Sequence, residues 1–99
     1  MEYTFDWDPK KAAANLRKHG VSFERTATIL LDPQAISIPD EEHSEDEERW
    51  VTMGLDTSGG LLIAVHTFEM LDAAHCRIRL ISARKATKKE TRQYVKVER

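Results

Sequence analysis

The sequence predicts an α+β fold in which helices gather on one face of an antiparallel sheet. Three observations point there: two capped helical stretches open the chain, alternating apolar stretches with turn residues between them follow, and a capped helix closes it. Tyr3 and Phe5 alternate with polar residues and suggest a short opening strand. Asp8-Pro9 then starts a helix. The aspartate accepts from orphan backbone N–H groups, and proline suits the first helical position. The helix is expected to run to about His19 and stop at Gly20, with Ala12, Ala13 and Leu16 toward the core and Lys11, Asn15 and Lys18 as an opposite polar stripe.

Ser22 caps a second helix reaching about Leu31, with Phe23, Ala27, Leu30 and Leu31 at helical spacing. Asp32-Pro33 ends it, because the residue before a proline is pushed out of helical geometry. Ala35 to Ile38 reads as a brief strand closed by Pro39. Arg49–Leu55 and Leu61–Thr67 form a hairpin around Thr57-Ser58-Gly59-Gly60, Glu69–Ala74 is a looser connection, and Arg77–Arg84 is a strand. In that last strand Ile78 and Leu80 face one side, and Arg77 and Arg79 the other. Thr87 and Glu90 stand at the three-residue offset of a capping box and open a basic helix of about three turns. So short a helix is marginal alone and needs a docking surface.

Charge is segregated. From Arg77 to Arg99 there are nine Lys/Arg against two Glu, whereas residues 40–48 hold seven acids and no Lys/Arg; the formal net charge of −2 conceals both. A strand and helix this basic suit a phosphate-rich or acidic partner. The acidic run reads either as a solvated loop or as a cover for the basic surface. Ninety-nine residues suffice for one domain, with an acidic loop at about 40–48. A single cysteine, Cys76, excludes an internal disulfide and fits a reducing cytoplasm. No apolar run approaches the ~20 residues that cross a bilayer, and the opening residues lack the form of a secretory signal. The expected location is cytoplasmic, with no membrane contact.

Several segments then match a known pattern. Phe5-Asp6-Trp7-Asp8-Pro9-Lys10-Lys11 with Asn15, and Lys18-His19-Gly20-Val21-Ser22-Phe23-Glu24, resemble the opening of BrnT-type toxins. So do Asp40-Glu41-Glu42-His43-Ser44, Glu47-Glu48-Arg49-Trp50, and the closing Ile81-Ser82-Ala83-Arg84-Lys85-Ala86 with Glu90 and Tyr94. The match spans nearly the whole chain in order. The resemblance implies a single BrnT-like toxin domain over 1–99 with a RelE-like fold: a mostly antiparallel twisted sheet, two N-terminal helices packed on one face, and the short basic C-terminal helix. It further implies a metal-independent ribonuclease toxin of a type II toxin–antitoxin module, acting on mRNA to inhibit translation and needing no cofactor. A BrnA-type antitoxin would neutralise it in a 2:2 complex and, with it, repress their own promoter. Operator DNA would be reached only through the antitoxin. The segment Glu69–His75 is longer than that family's hairpin.

Metal-free RNA cleavage needs a base for the 2′-hydroxyl, positive charge on the pentavalent phosphate and an acid for the leaving 5′-oxygen. Arginine's planar fork suits the phosphate and histidine the proton steps. Arg84 and Arg79 are the leading phosphate contacts; the competing roles are solvation or salt bridges to the acidic loop. Their convergence in one pocket is the expectation on which the nuclease reading leans. Tyr94 either stacks on a base or anchors the last helix. Lys18 and His19 are either a catalytic pair beside Asn15 and Lys11 or simply cations favouring a helix C-terminus. Lys11, Asn15, Arg49, His43, Lys85 and Lys88 complete the RNA-binding candidates, with a salt bridge the competing role for Arg49 and a plain loop histidine for His43. His66 reads as a satisfied core histidine. His75-Cys76 lacks a second Cys/His pair at ligand spacing, which excludes a structural zinc site. The alternative from another class is a toxin-derived interaction subunit that holds an antitoxin without catalysis. Direct DNA binding is disfavoured by the short last helix and the acidic run.

Overall fold

The computed structural model describes residues 1–43 and 48–96, without the side chain of His43. Strand β1 (Glu2–Asp6) leads to helix α1 (Pro9–His19) and helix α2 (Phe23–Ala27), which continues as a 3₁₀ turn, Thr28–Leu31. Strands β2 (Ile36–Pro39), β3 (Arg49–Leu55), β4 (Leu61–Thr67), β5 (Glu69–Met70) and β6 (His75–Lys85) follow, and helix α3 (Lys88–Lys96) closes the described chain. The sheet order is β1-β6-β4-β3-β2, with β5 also paired to β6. Only β1 and β6 run parallel; the other pairings are antiparallel.

Most of the predicted signals act as read. Asp8 Oδ1 accepts from the Lys10 amide at 2.8 Å, and Gly20, at φ 69°, closes α1. Ser22 Oγ accepts from the Arg25 amide. The longer Glu69–His75 segment is resolved by a tight return in which β5 pairs Glu69 with Arg77 and Met70 with Cys76. Asp56 organises the β3–β4 turn: Oδ1 accepts from the Ser58 amide and hydroxyl and from the Gly60 amide, and Oδ2 accepts from Arg25 Nε. Burial alone would raise the Asp56 carboxyl, but the donors of Ser58, Gly60 and Arg25 outweigh it and hold the group at about 2.

The second helix departs from the reading as a single α-helix to Leu31. Thr28 Oγ1 takes the Arg25 carbonyl at 2.7 Å, and the Asp32 amide bonds Ile29 O, so the last turn tightens to i→i+3. That tightening buries Ile29 and leaves Leu31 69% exposed. Gly54 lies close beneath it: a Cβ there would meet Ile29 O at 3.0 Å, so the turn would have to shift by a few tenths of an ångström to admit one.

Helix α1 is rotated from its expected orientation. Ala13 and Leu16 are exposed, Leu16 to 51%, and the expected surface residue Asn15 is buried. The cause is chemical. Asn15 Nδ2 donates to Val21 O at 3.0 Å and Ala83 O at 2.9 Å, and Oδ1 accepts from Ala83 N at 3.0 Å. Strand β1 pairs β6 only as far as Arg79, so beyond it the Asn15 carboxamide stands in for a peptide group of a neighbouring strand.

A bulge sits nearby. His66 pairs with Leu80 but Val65 with Ser82, leaving Ile81 as the extra residue. Cys76, Ile78, Leu80 and then Ala83 therefore all face the core, where they pack with Val21, Phe23, Ile29, Leu62 and Ala64. Trp7 extends this core, edge-on to Phe23 at 6.0 Å. Replacing Asn15 by Ala orphans one donor and two acceptors at the α1–β6 junction. The expected loss is about 2–4 kcal/mol in urea unfolding.

Candidate nucleic-acid interface

The bulge returns the polar side of β6 to one face, so that Arg77, Arg79, Ser82 and Arg84 lie opposite the core. Register extends this face across the sheet. Arg49 pairs with Thr67, the Thr67 Oγ1 accepts from the Arg79 amide at 3.1 Å, and Arg79 pairs with Asp6. Arg49, Thr67, Arg79 and Asp6 thus form one row across β3, β4, β6 and β1. Neighbours in such a row stand roughly 5 Å apart, so the two arginines flank the Thr67 hydroxyl with their backbones roughly 10 Å apart.

Two clefts meet at this row. A cleft of about 410 Å³ is lined by Glu48, Thr67, Phe68, Glu69, Met70, Arg77 and Arg79. Another, of about 360 Å³, is lined by Asp6, Trp7, Asp8, Lys11, Arg79, Leu80 and Ile81. Arg79 belongs to both. Its Nε donates to Asp6 Oδ1 at 3.4 Å, and Arg77 Nη1 donates to Glu69 Oε1 at 3.3 Å. These pairs are largely solvent-exposed and weak, so they orient the guanidinium groups more than they neutralise them.

His66 fixes the end of β4 where Thr67 stands. Its Nδ1 donates to the Thr67 carbonyl at 2.8 Å, which leaves Nε2 to accept from the Thr52 hydroxyl at 2.6 Å; Ser37 Oγ lies 2.7 Å from that hydroxyl. Burial lowers the His66 pKa, partly offset by the Thr67 carbonyl, and favours the neutral ring this chain of bonds requires. It is the core histidine the sequence suggested.

The expected convergence of C-terminal cations does not occur. Arg79 and Arg84 are five residues apart on one strand, about 15 Å at strand rise. Arg84 makes a bidentate pair with Glu90, Nη1–Oε1 2.7 Å and Nη2–Oε2 2.8 Å. Arg84 chiefly, and the Thr87 cap, hold the Glu90 carboxyl at about 2 against the opposing effect of burial. Tyr94 is buried, and its Oη donates to Asp32 Oδ2 at 2.6 Å, so it anchors α3; with Lys85 it lines a separate cleft away from Arg79. Asn15 likewise belongs to the packing of α1. Lys18 is exposed in the last turn of α1 and His19 is half-buried beside it, and neither lines either cleft at Arg79. Lys85 and Lys88 are exposed near the start of α3.

Of the sequence candidates, the structure brings Arg79, Arg49 and Lys11 to the two clefts and their shared row. The His43 side chain and residues 44–47 of the acidic run lie outside the described residues. Sequence reasoning missed Asp6, Thr67, Phe68 and Glu48 as site-lining groups; Asp6 stood in the opening motif, but Thr67 carried no local signal. His75 is held by Asp72 and Glu2, whereas Cys76 turns inward, so the two adjacent residues share no site. Among the described residues, no three His, Cys, Asp or Glu side chains converge to hold a metal ion, and no helix is long and apolar enough to cross a membrane.

A mixed sheet with N-terminal and C-terminal helices is an α+β arrangement consistent with the RelE-like fold. A family model described as the ribonuclease toxin BrnT of type II toxin–antitoxin systems matches residues 7–90. The chain belongs to the BrnT toxin family. Among solved structures it is similar to the Brucella abortus ribonuclease toxin BrnT, known at 1.1 Å resolution, with a TM-score of 0.62 and 19% identity. That likeness covers 89% of this chain and 100% of the other, and shows the shared fold. No curated protein sequence matches this chain at a significant level. Membership of a type II system carries with it an antitoxin partner.

The Arg84–Glu90 pair has a pH signature. The folded Glu90 carboxyl lies below its ordinary 4.5, so the pair's stabilisation is complete above about pH 4.5 and is lost as pH falls toward 2. Arg84→Ala is expected to return the Glu90 titration toward 4.5, read by carboxyl NMR.

Proposed function

We propose that this chain is a metal-independent endoribonuclease that cuts mRNA and so inhibits translation. A BrnA-type antitoxin neutralises it in a 2:2 complex, and the pair represses its own promoter. The observation that carries the reading is Arg79, which joins two clefts and shares a cross-strand row with Arg49, Thr67 and Asp6. A scissile phosphate seated there receives N–H donors from Arg79 and Arg49, while Lys11 meets a neighbouring phosphate in the adjoining cleft.

In the proposed step the ribose 2′-oxygen attacks phosphorus and the P–O5′ bond breaks. The products are a 2′,3′-cyclic phosphate and a 5′-hydroxyl. The Glu48 carboxylate takes the 2′-proton, the departing 5′-oxygen takes a proton from water, and the hydroxide so formed recovers the proton from Glu48, which restores the carboxylate. The arginines stabilise charge that develops only in the transition state, an effect worth ~3–4 kcal/mol per well-placed donor.

A second reading draws support from the ion pairs. Arg77, Arg79 and Arg84 pair with carboxylates from three different elements and do not converge on one point, which favours a subunit that binds an antitoxin without catalysis. One assay separates the two. Protein purified free of antitoxin should cut RNA in EDTA, and Arg79→Ala should lower the rate about 100-fold or more, with Arg79→Lys recovering part of it. Intact RNA after incubation with the wild-type protein, with and without ribosomes, would leave the interaction-subunit reading standing.

A further inference from the structure

The sheet face that carries the arginines is mostly aliphatic. Register aligns Ile38, Val51 and Val65 in one row ending at Ser82, and Ile36, Met53 and Ile63 in the next, ending at Arg84. The helices α1 and α2 pack on the opposite face, through Phe23 and the inward side of β6. Ile38 is 58% exposed, Ile36, Val51, Met53 and Val65 are half-buried and Ile63 is buried, so the aliphatic part of this face spans β2, β3 and β4 and opens to solvent most at its β2 side. Contiguous apolar area of this kind, rimmed by charge, marks an interaction surface.

We propose that this face is the seat of the antitoxin, occupied by an amphipathic segment whose apolar side lies on the two aliphatic rows and whose Asp or Glu residues reach the arginine rim. The rim decides the chemistry of the occupant. Arg79, Arg49 and Arg84 bound the aliphatic rows on two sides, and each guanidinium has five donors. Asp6 and Glu90 engage Arg79 and Arg84 only in part, in pairs that solvent reaches. Acidic side chains of a partner complement that rim. A second copy of this chain would set arginines against arginines. RNA suits the aliphatic rows poorly, since they hold no aromatic ring for a base to stack on. A segment lying there would also end beside the Arg49–Thr67–Arg79 row, which couples docking to occlusion of the clefts.

The inference rests on family membership and its antitoxin partner, and is independent of whether the chain cleaves RNA. The test uses the purified antitoxin encoded by the neighbouring reading frame and titration calorimetry, with no RNA present. Ile38→Asp should weaken binding about tenfold or more by placing a charge where the partner's apolar side covers the β2 end of the face. Leu31→Asp, at a still more exposed leucine on the helix side, should leave it unchanged. Carbene footprinting of the wild-type complex needs no variant, and should show protection of Ile38 and Met53 with Leu31 labelled as in the free protein. Unchanged affinity of Ile38→Asp, equal weakening by both variants, or undiminished labelling of Ile38 and Met53 would overturn the proposal. So would a dimer of the free protein that Ile38→Asp dissolves, since a second copy would then own the face. RNA cleavage by a protein that gives those results would leave the nuclease reading intact.

Discussion

The placement of the three β6 arginines on the polar face depends on how that strand is held along both edges. On one side it pairs with β4 through a bulge at Ile81; on the other, β1 covers it only to Arg79. Beyond that point the backbone groups of Ala83 would be unpaired in the core, and buried peptide groups tolerate that poorly. The Asn15 carboxamide supplies both the donor and the acceptor that Ala83 needs, while its second amide proton engages Val21. One side chain therefore joins α1, the α1–α2 connection and the far half of the strand. Without the bulge, strict alternation would turn Arg84 inward and Ala83 outward.

The strand so held works as a two-sided partition. Cys76, Ile78, Leu80 and Ala83 complete the core, while Arg77, Arg79 and Arg84 stand on the reverse side. Because the backbone is paired on both edges, the guanidinium groups start from rigid points, the condition a recognition surface needs. Their carboxylate partners come from different elements: Asp6 from β1, Glu69 from β5 and Glu90 from α3. Each pair orients a side chain while leaving most of its donors for another acceptor.

The short last helix shows how a weak element is made stable. Nine residues of basic sequence have little helical stability by themselves. Glu90 serves twice, accepting from the Thr87 amide at 2.9 Å to close the capping box and gripping Arg84. Tyr94 then ties the last turn to Asp32, whose Oδ2 also accepts from the Leu55 amide. The helix is fastened to β6, to the end of the 3₁₀ turn and to the β3–β4 hairpin, so its geometry reports on all three.

What the amino-acid order determined is what local chemistry encodes: helix starts at Asp8, Ser22 and Thr87, the stop at Gly20, the turn around Gly59, and the α+β class itself. These need only neighbours within a few residues. The opening and closing motifs also carried the family. The inward turn of Asn15 was hidden, because its partners at Ala83 lie 68 residues away and an asparagine within a polar stripe reads as surface. The row of Arg49, Thr67, Arg79 and Asp6 was hidden for the same reason, since cross-strand register brings together four residues with no mutual spacing in the chain. Only the assembled sheet decided which charges share a face, and a single inserted residue at position 81 set that parity for the rest of β6.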